Sequence, residues 1–268
     1  MKRVLFSVAI LAASVCVADE ITSSNVLGLL PITSSAKRTI VAVPWCAMSA
    51  TDNAEIQVSN VVKTANLTIG DMLHYVNSSG SYLSWRLASG AGDVMYWESV
   101  NIASENGEIT VSPSAHNQPV SRGNCIVLIR QNPGTKDAPA TFYLYGQVGT
   151  SSASVETSVV AGTTGSPAYT LIGAPTAATW SINGITWSGV GENDMISITF
   201  SNGYQKVLTP KLVNEVWKWG SMVSVYDGNR KTGEEWAVYD TSIPAGQGVW
   251  YISQGGNPKI TWSNVPVK

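Results

Sequence analysis

Thr179-Trp180-Ser181-Ile182-Asn183-Gly184-Ile185-Thr186-Trp187-Ser188 reads almost the same from either end, with Asn183-Gly184 at its centre. Asn and Gly both tolerate positive φ, which a two-residue type I′ turn demands at its two central positions. The expected hairpin sets Ile182 opposite Ile185, Ser181 opposite Thr186 and Trp180 opposite Trp187. Alternation then gathers both Trp and both Ile on one face and the hydroxyls on the other, one face for a core and one for water.

The same grammar extends outward. Asn-Gly recurs at Asn106 and Asn202, each between runs rich in Val, Ile, Thr or aromatics. Residues 125–130, 141–145 and 195–200 read as strands. Helical periodicity is weak, its best windows being 55–63 and 211–218, each one or two turns of helix or another strand. The stretch 149–165 is Ser-, Thr-, Gly- and Ala-rich without aromatics, which predicts a linker over 149–167, with a short strand at 155–160 as the alternative.

The chain has 268 residues, 44% hydrophobic and only 13% charged, with ten Trp and ten Tyr that need somewhere to pack. Formal net charge is −2, and no basic run exceeds Lys37-Arg38 or Arg230-Lys231. Nucleic-acid binding needs clustered cations to neutralise phosphates, so that class is excluded.

Lys2 and Arg3 precede an apolar run over 4–15 that is too short to span a bilayer, and Cys16 and Ala18 supply small residues for cleavage after Ala18. Residues 1–18 are therefore expected to be a signal peptide. Lipidation of Cys16 is the alternative, disfavoured by the bulky Val15 before it. The mature chain is expected to lack a transmembrane segment and to be secreted, periplasmic or at the cell surface. In such an oxidising compartment Cys46 and Cys125 are expected to form a disulfide. Closing a loop of about 80 residues contributes about 4 kcal/mol in the chain-entropy picture. Two buried thiols are the alternative.

Two halves carry the same signals in the same order. Gly70-Asp71-Met72, Tyr82, Trp97, Pro119, Gly123 and 142–148 are followed by Asn193-Asp194-Met195, Tyr204, Trp236, Pro244, Gly248 and 260–265. Asp71 lies 52 positions before Gly123, and Asp194 lies 54 before Gly248. A diverged internal duplication is expected, in which Gly246-Gln247-Gly248 answers Arg122-Gly123-Asn124 and Trp250 answers Cys125. With the opening 20–28, these Gly-Asp-Met and Gly-Gln-Gly-Val-Trp steps make the chain resemble a group of uncharacterised secreted bacterial proteins. Those share a signal peptide, a Thr-Ser-x-Asn-x-x-Gly start and Gly-x-Gly-aromatic turns. The resemblance implies export and architecture, and no activity, cofactor or catalytic residue.

Motifs that carry chemistry are sparse. Gly246-Gln247-Gly248 precedes the β-prone 249–252, not the helix whose amides would meet a pyrophosphate, so it reads as a turn into a strand. His74 and His116 stand far apart without partners at ligand spacing, and no metal is expected. No Gly-x-Ser-x-Gly elbow occurs. Asp71, Asp93, Glu98, Asp194, Glu215, Glu234 and Glu235 include no pair that spacing selects for glycoside hydrolysis, and the matched Asp71 and Asp194 read as turn caps. Trp217 and Trp219 would share one face of a strand and, with Trp250, are the candidates for a sugar-stacking platform.

The fold expected is all-β with little helix: two similar antiparallel β-sandwich or barrel-like domains, 19–148 and 168–268, joined by the linker 149–167. The function expected is that of an exported, non-catalytic structural or adhesive protein of the cell envelope or extracellular space, without cofactor, partnering itself or other envelope proteins. A carbohydrate-binding module that holds polysaccharide is the alternative, and a glycoside hydrolase-like enzyme the third reading.

Overall fold

The computed structural model describes residues 26–44, 56–77, 80–102, 109–112, 119–120, 122–148, 151–201 and 203–267. The signal segment 1–18, Cys46, Asn106, His116 and Asn202 lie outside these residues. Among the described residues the regular structure is strand, interrupted only by three-residue 3-10 turns, and the ladders between named strands are antiparallel.

In the first half, β1 (Val26–Ser34), β4 (Val62–Lys63) and β11 (Ala140–Val148) form a three-stranded sheet in the order β1-β11-β4. Facing it is a six-stranded sheet, β2-β10-β5-β6-β7-β8. Its strands are β2 (Arg38–Ala42), β5 (Met72–Val76), β6 (Tyr82–Ser89), β7 (Met95–Ile102), β8 (Ile109–Ser112) and β10 (Cys125–Ile129). The pair β3 (Ile56–Gln57) and β9 (Pro119–Val120) completes the half. Between the sheets, Ile32, Val62, Phe142 and Leu144 meet Leu73, Trp85, Leu87, Ile126 and Leu128 in one buried core.

The second half repeats this order. β12 (Ser151–Ser158), β15 (Thr186–Ser188) and β22 (Lys259–Val267) form the three-stranded sheet β12-β22-β15. The six-stranded sheet runs β13-β21-β16-β17-β18-β19. It is built from β13 (Ala168–Gly173), β16 (Met195–Thr199), β17 (Gln205–Val213), β18 (Val216–Asp227), β19 (Arg230–Val238) and β21 (Gly248–Ser253). β14 (Trp180–Ser181) pairs with β20 (Ser242–Ile243). Alternation does the sorting: in β16, Ile196 and Ile198 are buried while their neighbours are not.

Two expectations are corrected, and two windows left open between helix and strand are resolved. Residues 179–188 do not form a hairpin: β14 pairs with β20 and β15 with β22, and Ile182–Gly184 between them is a 3-10 turn. Asn183 is spent elsewhere, its amide donating to the carbonyls of Trp219 and Tyr239 and accepting the Trp219 N–H at 2.7 Å. Residues 211–218 take the strand alternative and not the helical one, spanning the end of β17, the start of β18 and the tight turn between them, in which Val213 faces Val216 and Asn214 and Glu215 take φ of 48° and 64°. That is the pair of positive values a type I′ turn requires, met here without glycine. The expected linker 149–167 contains β12, paired with β22 from Ser151 to Ser158, which favours the alternative of a strand near 155–160: Val155 packs on the core and Thr157 is buried, while Ser154 and Glu156 beside and between them are exposed. The window 55–63 holds β3, β4 and one 3-10 turn, Val58–Asn60.

The halves meet along β2 and β10 on one side and β13 and β21 on the other. Asn124, just before β10, bridges Ile172 of β13, and Gln247, just before β21, bridges Val41 of β2. The Gly173 N–H donates to the Gly123 carbonyl at 3.0 Å and the Ala42 N–H to the Gly246 carbonyl at 2.9 Å, so the exchange is reciprocal. Cys125 stands opposite Ala42 as Gly248 stands opposite Gly173, so Cys125 shares its ladder position with Gly248, and Val127 shares its position with Trp250. The register expected from sequence is thus corrected, and Gly246, like Gly123, falls 52 positions after its aspartate. Ile40, Ala42, Cys125, Val127 and Leu171 form a buried cluster at this junction. A Cβ at Gly248 would stand 2.3 Å from the Cys125 Sγ, so the two matched positions have room for one side chain.

Candidate functional site

Cys125 is a free thiol, fully buried, whose pKa burial pushes well above the ordinary value. No disulfide is formed among the described residues, which corrects the expected Cys46–Cys125 bridge as far as Cys125 is concerned, Cys46 lying outside them. The physical reason is position: the Sγ fills the space left by Gly173 and Gly248 at the junction of the halves.

Asp71 and Asp194 hold matched turns. The Asp71 carboxylate accepts the Thr68 N–H at 2.9 Å and the Gln131 N–H at 2.7 Å. The Asp194 carboxylate accepts the Gly191 N–H at 2.7 Å and the Gln254 N–H at 2.6 Å, and additionally the Tyr251 O–H at 2.6 Å. Both side chains are buried. Their lone pairs are engaged by amides that fix the entry to β5 and β16, a capping role. Glu98 accepts a charge-assisted bond from Arg86 at 2.8 Å, and Glu234 pairs with Lys231 at 2.6 Å. Among the described residues no three His, Cys, Asp or Glu side chains gather as a metal group.

One polar pair escaped sequence reasoning. His74 and Ser84 face each other across β5 and β6, with Nδ1 2.6 Å from the hydroxyl. The His74 pKa is lowered by burial and then by the Arg38 charge, so the ring stays neutral near pH 7. A cation nearby opposes the imidazolium that a general base must become, the reverse of what an orienting carboxylate supplies. The pair therefore reads as a satisfied core contact, and the ring stacks on Tyr82 at 4.9 Å.

The three expected platform residues separate. Trp219 is fully buried against Trp187 and Tyr251, with ring centres 5.1 and 5.7 Å away, and has no face for a ligand. Trp217, on the same face of β18, packs partly buried against the same core. Trp250 is different. With Tyr169 set edge-on at 6.3 Å, it lines a groove of about 420 Å³ at the junction, and Tyr82 from the other half lines it too. Tyr82 and Tyr169 are more than half exposed, so this groove offers rings to solvent from both halves.

A larger groove, about 750 Å³, opens in the first half where β1, β4 and β11 meet β7. Met95, Tyr96, Trp97 and Tyr145 supply its apolar wall, and Asn60, Lys63 and Thr64 its polar one. Burial raises the Tyr145 pKa, which keeps the phenol protonated and able to donate. Its lining comes from separate stretches, 28–29, 60–64, 95–97 and 145–146, so no local motif announces it.

A third feature is a surface. Along β18 and β19 most side chains beyond Ser221 are exposed, Met222 at 55% and Tyr226 at 60% among them. β19 is the last strand of its sheet and is paired on one side only among the described residues. Comparison of the chain with family models, with curated proteins and with solved structures finds no match.

Proposed function

We propose that the protein is exported and acts without catalysis, as a structural or adhesive component of the cell envelope or extracellular space that associates with its own copies or other envelope proteins. Export is supported by the basic, then apolar, then small-residue pattern of 1–18. We read the two halves as β-sandwich domains of a diverged duplication, supported by their common strand order and the matched capping of Asp71 and Asp194.

The observation that carries the reading is the β19 edge. An exposed strand with free amides and carbonyls templates another strand, and soluble monomers commonly protect such edges. β19 begins with Arg230-Lys231 and continues with Glu234-Glu235. Antiparallel pairing of two copies about Gly233 sets Lys231 opposite Glu235 and Arg230 opposite Trp236, whereas parallel pairing in register opposes like charges. Sedimentation over a wide concentration range tests it. The expected result is concentration-dependent association, weakened by Lys231→Glu or Glu235→Lys alone and restored by both together. A monomer at millimolar concentration, or association indifferent to these changes, overturns it.

Carbohydrate binding is the second reading, favoured by the exposed rings around Trp250. Loss of glycan binding in Trp250→Ala is its expected mark, and no binding to any glycan refutes it.

A further inference from the structure

The ladders of the two halves can be laid over one another from the aspartate caps outward. Leu73 faces Trp85 and Ile196 faces Leu208, each starting two positions beyond its aspartate. Two positions further along, Leu87 faces Trp97 and Pro210 faces Trp219. Trp97 and Trp219 therefore occupy the same place in the two sheets. In the second half that place is closed: Trp219 is fully buried beneath Trp187 and Tyr251, and the Asn183 amide clamps its backbone. In the first half the position of Tyr251 is held by Leu128, Trp97 is only partly buried, and the groove of about 750 Å³ lies beside it. The fold thus has a known way to fill this position and leaves it open once.

Leaving it open exposes apolar surface, Leu29 at 55% and Tyr96 at 37%, which costs roughly 25 cal/mol per Å² relative to burial. The groove's size falls in the range of small-ligand sites, and its makeup matches them, an apolar and aromatic wall with a few polar groups. Among the described residues Lys63 is its only charged lining residue. Aromatic faces suit the C–H faces of a pyranose, the amide and hydroxyl of Asn60 and Thr64 suit sugar hydroxyls, and an ammonium with no carboxylate among the described lining residues suits an anion.

We propose that this groove binds an acidic saccharide, with Trp97 from the inner face of β7 and Tyr96 from its outer face contacting different sugar rings and Lys63 receiving a uronate carboxylate. The site shares no residue with the β19 edge or with the Trp250 groove, and stands independently of both readings above. The test is calorimetric titration with tetrasaccharides of galacturonate, glucuronate and mannuronate, against neutral cellotetraose. Variants are Tyr96→Ala and Lys63→Gln, both at exposed positions, with Trp250→Ala to tell this groove from the other, Tyr204→Ala as a control outside both, and melting curves to verify folding. The expected result is binding of at least one uronate oligomer, weakened about tenfold or more by Tyr96→Ala, as a truncated anchor typically costs. Lys63→Gln should abolish the preference for acidic over neutral sugar together with its salt dependence. Absence of uronate binding overturns the proposal. So does binding untouched by Tyr96→Ala, a preference that survives Lys63→Gln, or dependence on Trp250 instead.

Discussion

Replacing Asp194 by Asn keeps the side chain's shape and removes its charge, and the matched Asp71→Asn supplies a control of known geometry. Asp194 is fully buried. One oxygen accepts the Gly191 N–H and the Tyr251 O–H, and the other accepts the Gln254 N–H and, at 3.4 Å, the Gly256 N–H. An asparagine retains one carbonyl oxygen, so its NH2 must face either the Gly191 or the Gln254 amide. At least one backbone N–H is then orphaned, at about 1–3 kcal/mol, and the surviving bonds lose charge assistance worth about 1 kcal/mol each. The sum is about 3–5 kcal/mol for Asp194→Asn. Asp71 receives the two amide donors and no phenol, so one bond survives and Asp71→Asn should cost about 2–4 kcal/mol, about 1 kcal/mol less than Asp194→Asn. Urea unfolding with an unchanged m-value reads both. Tyr251→Phe adds the cycle: its cost should be about 1.5–3 kcal/mol in the native background and under half that beside Asp194→Asn. Equal losses at the two aspartates, a cost for Asp194→Asn below about 1 kcal/mol, or no coupling to Tyr251 would refute the capping argument. A carboxylate kept for proton transfer is under no such structural obligation.

At the junction, Gly248→Ala pushes a methyl to 2.3 Å from the Cys125 Sγ and 2.6 Å from the Ile172 carbonyl. Overpacking of this kind should cost about 2–3 kcal/mol, and Cys125→Ala should recover part of it, because the sulfur is the nearest of three obstacles, the third being the Ile40 methyl at 3.0 Å. Above pH 10 the protein should lose stability: burial and then the Asp194 contact raise the Tyr251 pKa far above its ordinary value, so the folded state holds a proton that the unfolded chain releases. The stabilisation is complete below pH 10 and falls as pH rises, and Tyr251→Phe should flatten that alkaline limb in a pH series of melts. Glu215→Gly should stabilise by about 0.5–1 kcal/mol in thermal denaturation, since its φ of 64° penalises a Cβ. Gly184→Ala should be neutral within about 0.5 kcal/mol, because Gly184 lacks positive φ and its nearest obstacle is Ser181 at 3.5 Å.

Strand content was legible because it is written locally. Cys125–Ile129, Ala140–Val148 and Met195–Thr199 all alternate or run apolar within a few residues, and all are strands. Pairing was not, and 179–188 shows why. Trp180 and Trp187 are both buried, as the alternation implied, yet their partners are Ile243 and Ile260. A symmetric sequence scores a hairpin well, but the remote strands bury the same rings and use the same backbone groups. Asn183, the residue that made the turn convincing, is bound to Trp219 of β18 through two hydrogen bonds and to the Tyr239 carbonyl just beyond β19 through a third. The grooves were less legible still. Trp219 and Trp97 look alike in sequence, and only the presence of Trp187 and Tyr251 over one of them decides which is core.

Gly246-Gln247-Gly248 ties these strands of argument together. As a phosphate cradle it would need free amides, yet the Gln247 N–H is bound to the Pro244 carbonyl. The Gly246 carbonyl holds the Ala42 N–H, and the Gln247 carbonyl takes the Trp180 indole N–H at 3.2 Å. Gly246 itself sits at a φ of 71°, where a Cβ would strike Ile32 and Leu30 at 2.6 and 2.7 Å. Both glycines are therefore demanded by the approach of one half to the other. If the halves are copies, as we propose, the reciprocal bridges were once identical, and Cys125 against Gly248 records where they ceased to be. Once a position need not serve both copies, one can be packed shut and the other opened. The contrast between Trp219 and Trp97 is that freedom applied to a groove.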